Sequence, residues 1–416
     1  MKELRPGDLL ALEAGDYRSG LPLHGLAGTP GRPITISGPQ RGAAAVFHAR
    51  DGHNTVSLVD AAYLVVRNLA IEGHNLPVDG VKAEGSSRFA HDITLENLTI
   101  RGHGNNQQTV AISTKCPAWR WTLRGNRILG AGTGMYLGNS DGRAPFVGGL
   151  IEHNLVVDTI GYNLQVKHQL PRPDLPGMPT GNSTTIIRHN VFAKVDSGGG
   201  REAEAPRPNV LVGHFPIAGT GVEDRYAVYG NFFYQNAHEA LFQGEGNVGI
   251  YANVFVTDHG DAIRIQPHND IPRHIVVAFN TILAKETGIS IVQREGAPKF
   301  AQIVAANVVF ADRPIVAAQQ RDNVTGPRAR ATELLRHPFG RPGALDFSLR
   351  VALTGGQDAA VLDGWPDGDR DFDGRRRGAG AAGGHPPGAY TDLQAAASWL
   401  PTLERKPLPG AREGPR

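Results

Sequence analysis

A single cysteine, Cys116, stands in 416 residues, so the chain can form no intramolecular disulfide and no cysteine-based zinc cage. It has no apolar run of about eighteen residues, the length a membrane helix needs. Nor does one charge dominate: 42 Lys and Arg meet 40 Asp and Glu, a formal net charge of +2 with the signs interspersed. That excludes a uniformly basic surface for a phosphate backbone, so neither nucleic acid nor a membrane is an expected partner. No dinucleotide, phosphate-loop or Ser-His-Asp signature occurs in a fitting context. The opening MKELRPGDLLAL has charges where a secretion signal carries its apolar stretch.

What the chain has in quantity is turn chemistry, with 53 glycines and 29 prolines, and a repeat. The unit is an apolar residue, two free positions, Asn, one free position and a second apolar residue. It occurs seven times, as LRGNRI, IEHNLV, IRHNVF, VYGNFF, IYANVF, VAFNTI and VAANVV, with asparagines at 126, 154, 190, 231, 253, 280 and 307. Offset versions, RNLAI and ENLTI, surround Asn68 and Asn97. Each copy is followed by a second short alternating segment such as MYLGNS, LQVKHQ, IRIQPH or ISIVQR, giving two strands per repeat.

Strands this short cannot bury their apolar face without neighbours, and stacking like coils supplies them. The expected fold is all-β, a single right-handed parallel β-helix over residues 1–320, with the asparagines hydrogen-bonded along the stack. A sandwich or propeller would need two-residue hairpin turns that the strand ends lack. Helical repeats are excluded because no segment within 60–320 sustains a 3.6-residue period.

Beyond about residue 321 the Asn unit disappears. Residues 321–416 are expected to form an extension packed on or capping the solenoid. Within it, 391–405 is expected to be a short amphipathic helix and the last residues to be disordered.

Three insertions, 169–183, 195–209 and 216–225, fall on consecutive coils and point to a bordered binding site. With Leu164 and Val166 facing in, alternation sends Gln165, Lys167 and Gln169 outward. Neighbouring coils then offer Tyr136, Gly138 and Ser140; Leu211, Gly213 and Phe215; Arg264, Gln266 and His268; and Arg294. Lys115 lies two coils before Lys167. Together these form a polar, cationic stripe suited to an acidic polysaccharide, in which cations meet carboxylates, rings stack on sugars and Asn139 reaches hydroxyls.

The segments PGDLLALEAGDYRSG…GTPGRPITISGP and YNLQVKH…TTIIRHNVF…NVLVGHF…YAVYGNFF resemble pectate-lyase-like β-helix proteins, in particular the polysaccharide lyase family of chondroitinase B and alginate lyases. DRDFDGRRRGAG…PGAY resembles the closing segment of many exported bacterial β-helix proteins. The resemblance implies β-elimination on a uronate-containing polysaccharide, with Lys167 as base and Tyr136 or His214 as proton donor. Lys115, Asn139, Gln165, Gln169, Arg172, Arg264, His268 and Arg294 are the expected substrate contacts. It also implies an extracellular or periplasmic monomer, and an N-terminal cap and export signal upstream of Met1.

The chain departs from the family at two places. Gly213-His214 stands where the family has Arg-His, leaving Arg264 or Arg172 to supply the missing charge. Thr159-Ile160-Gly161-Tyr162 stands where it has acidic calcium ligands, so no cofactor is expected with assurance and Ca²⁺ only by analogy. The alternative function is a non-catalytic glycan-binding or surface protein. Gly102-His103-Gly104 and Arg264-Ile265 look like parts of a polygalacturonase site, but no paired aspartates lie between them. Asp371–Gly374 has the start of a calcium loop without its remaining ligands.

Overall fold

The computed structural model describes residues 3–195, 205–294, 296, 298–351, 359–377, 385–391 and 399–407. Three long sheets of parallel strands run its length. The first begins at Leu9–Ala11, the second at Gly15–Tyr17 and the third at Leu21–His24, and each coil contributes one strand to each sheet in turn. This is a right-handed parallel β-helix, the hand that parallel crossovers take almost without exception. Its inner faces merge into one apolar core from Leu21 to Ala311.

A coil therefore has three strands where two were expected, because the Asn unit itself contains two. Leu150–Glu152 lies in the first sheet and Leu155–Val157 in the second, and Asn154 is at the bend between them. The residue before the asparagine makes the bend by taking a left-handed conformation: His153 has φ 55°, His189 54°, Ala252 52° and Phe279 54°. Such a backbone costs roughly 1–2 kcal/mol in a non-glycine residue and persists only where the surroundings over-determine it.

The ladder of side chains supplies that constraint. Nδ2 of Asn126 donates to Oδ1 of Asn154 at 2.9 Å, and the pattern repeats through Asn190, Asn231, Asn253, Asn280 and Asn307. The last step, from Asn307 to Asn323 at 2.9 Å, adds a member beyond the point where the repeat fades from the sequence. Asn68 and Asn97 are outside the ladder, which explains their offset. They occupy the left-handed position themselves, at φ 58° and 53°, and buried Leu69 and Leu98 take the ladder place. The Leu98 N–H donates to Oδ1 of Asn126 at 3.0 Å and so closes the ladder's end.

In the later coils the second sheet is buried on both faces. Phe232, Tyr234, Val254, Val256, Leu283 and Phe310 pack outward against Leu335, Phe347, Phe372, Tyr390 and Trp399 of the C-terminal extension. The strands of the helix run on to Val324–Gly326. Of the helix expected at 391–405, residues 392–398 lie outside the described residues and 399–405 are irregular, not helical; the tail from 408 is also outside the described residues. Among the described residues no helix is long and apolar enough to cross a membrane.

The remaining sequence motifs are structural. His103 is fully buried, with its Nδ1 3.0 Å from the carbonyl of Val78. The Asp371 carboxylate accepts from the Arg375 N–H and the Thr391 hydroxyl, closing the Asp-Phe-Asp-Gly turn over the second sheet. His153 and His189 are turn residues whose rings stack at 5.1 Å.

Candidate functional site

The third sheet carries the candidate site on its outer face. One outward row runs in register through Ser113, Tyr136, Gln165, Leu211, Gln243, Arg264 and Ser290. A second row lies just past the strand ends. There the Lys167 N–H donates to Leu137, Gly213 to Val166, Glu245 to Val212 and Gln266 to Gly244, which places Gly138, Lys167, Gly213, Glu245 and Gln266 side by side.

Lys167 thus stands between two glycines. Gly138 has φ 91°, and an added Cβ there would sit 3.3 Å from that of Lys167. At Gly213 a Cβ would lie only 2.4 Å from the His168 nitrogen, so this backbone admits no arginine where the resembling family has one. Missing side chains on either hand leave the lysine stem in a slot. Burial there, reinforced by the charge of Arg207, pushes the Lys167 ammonium below the usual lysine range. Among the described residues neither Lys167 nor Lys115 forms an ion pair with a carboxylate.

Lys115 and Lys167 share one ring. The Lys115 Nζ lies 3.4 Å from the centroid of Tyr136, and the Lys167 Nζ lies 5.7 Å from it. Burial outweighs the attraction of Asp79 and brings Lys115 down to about 8, with Lys82 and Lys167 pushing the same way. Burial raises the phenol of Tyr136, as it does that of Tyr162.

The Lys167 side chain opens into a groove of about 430 Å³ whose lining includes Tyr162, Pro206–Pro208, Gln266, His268 and Asn269. Gln165, Gln243, His168, Glu239 and Glu245 complete its lining. Glu245 is fixed by its surroundings: Oε2 accepts from the backbone N–H groups of His268 and Asn269 at 3.0 Å and of Asp270 at 3.2 Å. His168 faces the groove and stacks on His214, 5.4 Å away; burial, then the neighbouring His214 and Lys167, lowers its pKa.

Several sequence expectations are corrected here. Gln169 and Phe215 are buried, not exposed, because they follow the strand ends, where alternation stops and the chain turns inward. Gln169 donates to the Phe146 carbonyl at 3.2 Å, and Phe215 stacks on Tyr226 at 4.5 Å. Arg172 is not free for substrate: its side chain keeps 2% of its exposure and pairs with Asp224, which keeps 3%. Arg264 is neutralised by Asp261 and by Glu239, the latter at 3.5 Å. Arg294 is exposed past its strand and does not line the groove. Asn139 closes a tight turn, its Oδ1 accepting from the Ser140 N–H at 2.9 Å. His214 is buried behind His168, its Nδ1 donating to the Phe215 carbonyl at 2.7 Å.

Four lining residues, His168, Tyr162, Arg207 and Glu245, stand outside the outward row that alternation predicts. For His168 the signal was adjacency to Lys167, masked by strict alternation; Arg207 had none, because its position depends on how an insertion folds. The Thr159–Tyr162 stretch does not fit calcium: the Thr159 hydroxyl is taken up by the Gly161 carbonyl and the Asn163 amide. Among the described residues no three His, Cys, Asp or Glu side chains group as a metal would need.

No protein-family model and no curated protein matches the chain. Solved structures do. The PL6-family alginate lyase AlyGC is 15% identical, with a TM-score of 0.48 over 78% of this chain and 49% of its own. A GH136 lacto-N-biosidase from Eubacterium ramulus is 13% identical, with a TM-score of 0.45 over 78% and 63%. Pectate lyase Pel9A is 13% identical, with a TM-score of 0.37 over 94% and 89%. The chain spans about half the length of the alginate lyase it is similar to. At these identities the likeness concerns the fold.

Proposed function

We propose that the protein is a polysaccharide lyase that cleaves a uronate-containing polymer by β-elimination in the groove around Lys167. The observation that carries this reading is a half-buried lysine that lines an open groove and has no carboxylate partner among the described residues. An amine whose charged form is disfavoured by burial is the form of lysine that removes a proton.

The Lys167 amine takes the proton on the carbon beside the uronate carboxylate. That electron pair forms the new carbon–carbon double bond as the bond to the glycosidic oxygen breaks. Tyr162 returns a proton to the leaving oxygen, since its phenol lines the groove and burial keeps it protonated. Tyr136 is the spacer between Lys115 and Lys167, and Lys115, Gln165, Gln243 and His268 contact the chain of sugars. The polymer runs along the helix axis, crossing coils about 4.8 Å apart. We assign the enzyme to the extracellular or periplasmic space, acting as a monomer on this one partner.

Incubation with alginate, pectate, chondroitin, dermatan and heparan, followed by ultraviolet absorbance of the unsaturated product, tests the reading. Product from at least one of them, lost in Lys167→Met, is expected. Binding without product from any member would replace the lyase with a non-catalytic glycan-binding protein.

A further inference from the structure

Removing a proton beside a carboxylate requires a cation on that carboxylate, and the arginines the sequence offered are spent on internal partners or, like Arg294, lie outside the groove. Arg172 is locked to Asp224, Arg264 to Asp261 and Glu239, and Gly213 has no side chain. Arg207 differs. Among the described residues it pairs with no carboxylate, and it lines the groove that Lys167 opens into. Its charge bears on the Lys167 ammonium.

The guanidinium stands 5.6 Å from the centroid of the Tyr162 ring. One part of its N–H edge meets the Tyr162 phenol, and a guanidinium carries five N–H donors in a planar fork, which leaves donors for a planar, two-oxygen acceptor. The backbone beneath is held from its own coil and from two others. The Arg207 carbonyl accepts from the Lys194 Nζ at 2.8 Å and from Nδ2 of Asn236 at 2.9 Å, and Nε2 of Gln107 donates to the Ala205 carbonyl at 2.7 Å. Pro206 and Pro208 fix φ on either side. A segment tied down this way is a preformed arm.

We infer that Arg207 is the carboxylate-binding residue of this groove, taking the uronate carboxylate edge-on between Tyr162 and Lys167 and selecting uronate-containing chains over their neutral counterparts. The inference rests on the groove being the glycan site, but it concerns binding and can be tested apart from catalysis.

The probes are alginate, pectate and chondroitin hexasaccharides, each beside its carboxyl-reduced form, titrated calorimetrically into Lys167→Met protein and into the same protein carrying Arg207→Gln or Arg207→Lys. Arg207→Gln is expected to weaken binding of the acidic oligosaccharide roughly ten- to hundredfold, the range for a hydrogen-bonded charged partner. Binding of the reduced form should not change, and Arg207→Lys should recover part of the loss. Equal weakening of both forms would show that Arg207 only supports the loop, and no weakening of either would place the carboxylate elsewhere; each result overturns the inference. So does failure of every acidic probe to bind. Discrimination by Arg207 without unsaturated product from the unmodified enzyme leaves the inference standing and removes the lyase reading.

Discussion

Arg172 and Asp224 close an ion pair that is almost wholly withdrawn from water and ties the 169–183 insertion to the one at 216–225. The guanidinium also donates to the Gly181 carbonyl at 3.0 Å, and Oδ1 of Asp224 accepts from the Ser183 N–H at 2.8 Å. Removing one partner strands a buried charge. Asp224→Ala should therefore destabilise the protein by roughly 3–5 kcal/mol, whereas replacing both residues with apolar ones should cost much less. Thermal unfolding of the single and double variants checks this, and a double variant as unstable as Asp224→Ala would refute it.

The Asn ladder predicts a contrast between two asparagines. Asn253 is fully buried and donates to Val228, Tyr251 and Asn280. Asn253→Ala leaves buried donors and acceptors unmet on both neighbouring coils and should cost about 3 kcal/mol or more. Asn68 is half-buried at φ 58°. Asn68→Ala should cost about 1–2 kcal/mol, the left-handed penalty plus the partly exposed hydrogen bonds to Asn97 and Ser37, and Asn68→Gly about 1 kcal/mol or less, since only those bonds are lost. Chemical denaturation of the three variants measures the order.

Activity should depend on pH through Lys167. Because the free amine is the reactive form and burial lowers its pKa, the rate should rise with pH through a midpoint below the ordinary lysine value of about 10.4. Arg207 is the second cause of that lowering. Arg207→Gln removes a nearby positive charge, so the ascending limb of kcat/KM should move to higher pH, while Arg207→Lys should hold it in place. A limb that does not move between the enzyme and Arg207→Gln would uncouple the two residues.

Acid should loosen the turn stack under the C-terminal segment. The Nδ1 of His153 donates to the Lys406 carbonyl at 2.9 Å, and burial lowers the pKa of His153 and, with help from Lys406, holds that of His189 well below its ordinary value. In the unfolded chain both protonate near pH 6.5, while in the fold both resist it. The unfolded state therefore binds more protons as pH falls below about 6.5, and stability is lost in that direction. Melting temperatures from about pH 8 down to about pH 5 should fall, less steeply in His189→Gln.

The coil architecture and the chemistry of its bends were legible along the chain. LRGNRI and its relatives announce both the asparagine and the residue that must turn left before it. The outward place of Lys167 and its distance of two coils from Lys115 followed from period-two alternation. The same rule failed three residues past each strand, at Gln169 and Phe215, because alternation belongs to extended backbone and ends with it.

A stacked solenoid repeats one local instruction, so a single sequence determines its repeat, its ladder and the row a side chain joins. It does not determine which cations in that row are free. Arg172, Arg264 and Arg207 look alike in sequence, and each fate depends on contacts outside its own strand: Asp224 across two insertions, Glu239 and Asp261 at a coil edge, Tyr162 beneath a loop. Ion pairing over such distances is settled only when the insertions fold across the coils, and there the tertiary structure leaves Arg207 facing the groove.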